Sequence, residues 1–158
     1  MPIPMNEDLE IPTESLVAIY AKKIRTLRTR SCSLEIPERE NDVRILHTLL
    51  GIELQVGRRR FSCPDLATAR YMRVFARLGC REFAIPYDIT KISTLADELE
   101  TAWQRSLLML ETSTAGVSDS QQKRQRSALF RSARSELADI GPGERMPEFK
   151  QSTKQRDA

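Results

Sequence analysis

Arg58, Arg59 and Arg60 stand in a row directly after Gly57, between two stretches in which apolar and polar residues alternate. Guanidinium groups offer forked donors of the geometry that phosphate oxygens accept, and a two-stranded ribbon with a basic tip can enter a nucleic-acid groove. Further along, Arg70, Arg73 and Arg77 recur at spacings of three and four, which aligns them on one side of a helix. Lys123, Arg124 and Arg126 make a third basic cluster. These nine residues are the expected nucleic-acid contacts, with RNA and DNA both open. The same charges have a plainer use, pairing with the chain's own acids, where exposed ion pairs contribute little.

Other chemistry is harder to build. The six glycines are scattered, so there is no phosphate-cradling loop, and His47 is the only histidine available as a base for a Ser or Cys nucleophile. Cys32, Cys63, Cys80 and His47 could supply four zinc ligands, but they lack the paired spacings of pre-formed sites. Glu53, Asp65, Glu82 and Asp88 could meet near strand ends, although nothing in their spacing demands it. The expectation is a non-enzymatic protein without cofactor or metal.

These residues need elements to position them. Ile52, Leu54 and Val56 alternate with Glu53 and Gln55, and Phe61 and Cys63 resume the alternation after the turn. Glycine first in a two-residue turn signals a type II′ hairpin. With Gly57 and Arg58 as that turn, Val56 faces Arg59, Leu54 faces Phe61 and Ile52 faces Cys63. A helix follows from Pro64 to Leu78, apolar on two sides and stopped by Gly79 and Cys80 in a Schellman arrangement. Phe83, Ile85 and Tyr87 mark a third strand, which a right-handed crossover would place parallel to the second. Pro86 puts that strand at an edge or ends it.

Before the hairpin, Leu16, Tyr20, Ile24 and Leu27 recur at helical spacing behind a cap at Thr13 or Ser15. Val43, Leu46 and Leu50 predict a short helix capped by Asn41 and stopped by Gly51. After the third strand, Thr90, Ser93 or Thr94 would cap a long helix carrying Ile92, Leu95, Ala96, Leu99, Trp103 and Leu110. The fold class is therefore α/β of an α+β kind, a small three-stranded mixed sheet in the order α-α-β-β-α-β-α.

Residues 1–12 read as a disordered arm, 13–111 as a single globular domain, and 112–158 as a flexible basic tail with an amphipathic helix at about 118–140. Residues 1–111 carry sixteen basic and sixteen acidic side chains, so the excess charge falls in the tail. Three cysteines, an odd and widely spaced set, argue against a disulfide framework and for a reducing cytoplasm. There is no secretory signal and no apolar run long enough to cross a bilayer.

The functional expectation is a cytoplasmic regulatory or accessory protein that docks on a larger assembly through nucleic-acid phosphates. Its alternative is a protein-protein adaptor or homodimer, using the apolar residues Met72 on the two-sided helix and Phe130 and Leu137 on the tail helix.

Overall fold

The computed structural model of the chain describes residues 14–142. The arm expected at 1–12 and the end of the tail lie outside these residues. The architecture is mixed α+β, with four helices and two small antiparallel sheets.

Helix α1, Leu16–Thr26, starts at Ser15, whose hydroxyl accepts from the Ala18 N–H at 3.1 Å, and it buries Leu16, Tyr20 and Ile24. Strand β1, Thr29–Ser33, follows directly. Strands β2 (Val43–Thr48), β3 (Gly51–Val56) and β4 (Arg59–Cys63) form a meander in that order. The β3–β4 register is the one expected, with Val56 opposite Arg59, Leu54 opposite Phe61 and Ile52 opposite Cys63. Gly57 takes a φ of 62°, as the first position of its turn requires.

The segment from Asn41 to Leu50, expected as a helix, is strand β2 and a turn. Val43 pairs with Val56, Ile45 with Leu54 and His47 with Ile52. The helical spacing of Val43, Leu46 and Leu50 competed with an equally present period of two through Val43 and Ile45. So short a helix is marginal, whereas the strand gains a complete ladder with β3. Gly51 is needed in either case, here with a φ of 124° in the hairpin.

Helix α2, Leu66–Leu78, is capped by Asp65, whose carboxylate accepts from the Thr68 N–H at 2.7 Å. It lies between the meander on one side and α3, Ile89–Ser113, on the other, which is why both its sides are apolar. Asp88, not a later Thr or Ser, caps α3.

Strand β5, Glu82–Pro86, is where the sheet departs most from expectation. It does not join the meander in parallel. It pairs antiparallel with β1, Thr29 opposite Pro86 and Ser33 opposite Glu82. The polar run Thr29–Ser33 lacks an apolar alternation of its own, so its strand character comes from its partner. The sheet is thus not mixed, and its five strands are divided three and two.

Two tyrosines explain why β5 takes no second neighbour. The Ala84 N–H donates to the Tyr20 hydroxyl at 2.8 Å, and the Tyr71 hydroxyl donates to the Ala84 carbonyl at 2.6 Å. Side chains thus occupy the ladder positions of a missing strand. Burial pushes the Tyr20 phenol up to about 12 and Tyr71 upward as well, so both remain neutral donors.

Tyr20 also donates to the Gly141 carbonyl at 2.9 Å, joining β5 to the end of α4, Asp119–Ile140. Tyr20→Phe is therefore expected to cost about 2 kcal/mol, because it strands a buried N–H and a partly buried carbonyl together. Urea unfolding checks this, and a loss below about 0.5 kcal/mol would show that neither group depends on the hydroxyl.

Helix α4 forms where the sequence places it, but not apart from the domain. Phe130, Ala133 and Leu137 are buried in the same core as Tyr20, Phe75 and Leu99. Phe130 meets Trp103 edge to face, with ring centroids 5.0 Å apart. The segment's polar composition suggested a tail, yet three apolar residues along one stripe are enough to dock it on a surface already prepared by α1 and α3.

Candidate nucleic-acid interface

The three expected basic clusters meet different fates. On α2, Arg70 pairs with Asp97 and lies 3.3 Å from Glu100, while Arg73 reaches Glu100 at 2.8 Å. Residues three apart on α2 thus meet residues three apart on α3, forming an electrostatic seam between the helices. Arg77 lies half-buried at the end of this stripe. Desolvation, reinforced by nearby Arg73, lowers its pKa. These arginines face α3 and are not a free phosphate surface.

On α4, Lys123 and Arg124 are exposed. Arg126 instead gives two hydrogen bonds to Glu40, at 3.1 and 2.7 Å, and lies over the Phe130 ring at 5.1 Å. It secures α4 to the connector before β2. The expected docking residues are likewise engaged: Met72, Phe130 and Leu137 are all buried, with Met72 beside the Cys63 thiol. As partner-binding side chains they are corrected to core residues.

The hairpin arginines remain open. Arg58 sits in the turn, exposed. Arg59 lies at the rim, 3.2 Å from Glu35, with both side chains mostly exposed. Arg60 projects from the face of the meander opposite α2, 3.4 Å from Glu53. Register places Arg44 in the same row: Arg44 pairs with Gln55, which pairs with Arg60. Helix α2 covers the other face of the meander, so Arg44, Leu46, Glu53, Gln55, Arg60 and Ser62 share a face that no described helix packs against. Exposed pairs of this kind are weak and exchange readily for a phosphate, which Arg can hold with two parallel bonds.

Arg44 is the residue that the sequence reading missed. Reading 41–50 as a helix placed it far from Arg60; the alternation of Val43 and Ile45 was the available signal.

The thiols are unsuited to nucleophilic work. Burial raises the pKa of Cys32, Cys63 and Cys80, to about 11 for Cys63 and about 12 for Cys80, so little thiolate exists near neutral pH. Among the described residues no three His, Cys, Asp or Glu side chains converge as a metal site would require, and the four residues considered for zinc are not brought together. No helix among them is long and apolar enough to cross a membrane.

The fold and face together define an α+β domain whose meander carries arginines on a face that no described helix covers. No protein-family model, curated protein or solved structure matches the chain.

Proposed function

We propose that this protein is a non-enzymatic accessory factor that docks on nucleic-acid phosphates through the uncovered face of its meander. The observation that carries the reading is the row Arg44–Gln55–Arg60, extended by Arg58 at the adjacent turn, on a face that no described helix covers. That face has no aromatic side chain. Base stacking is therefore not its mode, and recognition rests on backbone charge with little sequence preference. Lys123 and Arg124 on α4 add a second exposed basic region. The adaptor alternative loses its named residues to the core.

Each phosphate neutralised by an arginine releases counterions, so binding weakens with salt in proportion to the number of contacts. Replacing Arg44, Arg58 and Arg60 together by Ala is expected to flatten the log–log salt slope for duplex RNA or DNA by about 2 to 3, with unfolding unchanged. Arg70→Ala, in the helix seam, should leave that slope alone. An unaltered slope in the triple variant, or wild-type protein that retains no nucleic acid at low salt, overturns the proposal.

A further inference from the structure

The turn joining β2 to β3 presents two leucines to water. Leu49 and Leu50 are 105% and 93% exposed, more than any other large apolar side chain described. They are not on a floppy loop. The Thr48 hydroxyl accepts from the Leu50 N–H at 3.1 Å and donates to the Gly51 carbonyl at 2.9 Å, which braces the turn.

The strand leading to this turn is the open edge of the meander. Among the described residues nothing donates to or accepts from the outer side of β2. Edge strands are usually guarded by charge. The other edge, β4, begins with two arginines, whereas β2 carries only Arg44 in six residues.

At the opposite end of β2 lies a cleft of about 470 Å³ of mixed character, walled by Leu107 and the edges of Trp103 and Phe130 and rimmed by the charged side chains of Glu40, Asp42, Arg77 and Arg126. Beyond Leu107, Leu108 and Met109 are 61% and 65% exposed on α3. Arg77 lies half-buried in the wall of this cleft, with Asp42 and Glu100 as its attractive neighbours.

We propose that this edge binds a second copy of the same chain, β2 against β2 in antiparallel pairing, to give a six-stranded sheet. The geometry is self-complementary. A two-fold axis normal to the sheet at Ile45 sets residues equally distant from position 45 opposite one another. Leu49 follows Ile45 by four residues and Asn41 precedes it by four, so the leucine turn of each copy arrives at the cleft of the other. Leu107 supplies an apolar wall for the leucines, and Arg77 supplies donors for the carbonyls of the incoming turn. The inference stands independently of nucleic-acid binding, although the dimer would set two arginine rows on one continuous face.

The test is sedimentation equilibrium of the full-length chain without nucleic acid, from about 1 to about 100 μM, compared with L49S/L50S. The wild type is expected to show twice the mass of the 158-residue chain. The variant is expected to weaken the dimer by at least about tenfold, as loss of buried apolar anchors does. Both leucines are exposed in the monomer, so the substitution leaves its core intact. Hydrogen exchange of wild-type protein gives a second readout: the Ile45 and His47 amides gain protection as concentration rises while those of β4 do not. A wild type that remains monomeric, a dimer indifferent to L49S/L50S, or β2 exchange independent of concentration each overturns the proposal.

Discussion

Gly79→Ala is expected to destabilise the fold by about 3 kcal/mol or more, through a left-handed backbone and a backbone collision acting together. Gly79 has a φ of 85°, and a Cβ built on it would collide with the backbone nitrogen and carbonyl oxygen of Arg39. Neither atom belongs to a side chain that could swing away. The approach is this close because the end of α2 is where three parts of the chain meet. The Cys80 N–H donates to the Phe75 carbonyl and the Gly79 N–H to that of Ala76. Asn41 donates from its side chain to Ala76 and from its backbone to Arg77, while Arg134 of α4 donates to Leu78.

All four terminal carbonyls of α2 are therefore satisfied, two of them only by distant segments. Moving Gly79 would disturb the connector and α4 at once. Gly57 provides the comparison. Its φ is also positive but nothing lies within 4 Å of an added Cβ, so Gly57→Ala should cost only about 1 kcal/mol. Chemical denaturation of the two variants decides the matter, and equal losses would mean that the Arg39 contact relaxes without cost.

Phe75→Ala is expected to cost about 4 kcal/mol, within the usual range for removing a fully buried aromatic ring. Phe75 is completely buried and stacks on Phe83 with centroids 4.3 Å apart and planes 7° from parallel. Tyr20 and Tyr71 flank it at 5.4 and 5.1 Å. One ring thus touches α1, α2 and β5, and the two flanking tyrosines are those that complete the edge of β5. Loss of the ring opens a cavity between elements that cannot all close on it, and it loosens the hydroxyls on Ala84. Small domains have about 5 to 15 kcal/mol of stability, so the variant should be close to unfolding at 37 °C. A measured loss below about 2 kcal/mol would show that the core closes over the space.

The candidate interface was legible in part. Arg58, Arg59 and Arg60 were readable because hairpin chemistry is local: glycine sets the turn and alternation sets the register. Arg70, Arg73 and Arg77 were equally visible as a stripe, but their function depends on what faces them. Asp97 and Glu100 lie more than twenty residues away, and only the packing of α3 against α2 made those arginines internal. Phe130 and Leu137 show the same limit. Their helical stripe was plain, while its destination, a surface beside Trp103, was not.

What the chain determined by itself was whatever neighbours within a few residues can settle. This covers the cap at Ser15, the stop at Gly79, the Gly57 turn with its register, and the existence of a helix over 119–140, whereas the helix expected from Pro64 begins only at Leu66, behind Asp65 as its cap. Tertiary structure decided the rest. Val43–Thr48 became a strand because β3 offered a ladder, Thr29–Ser33 because β5 needed a partner, and β5 stayed out of the meander because Tyr20 and Tyr71 took the hydrogen bonds on its far side. Local propensity differences amount to less than about 1 kcal/mol per residue, so a full set of backbone partners or a buried ring outweighs them wherever the two compete.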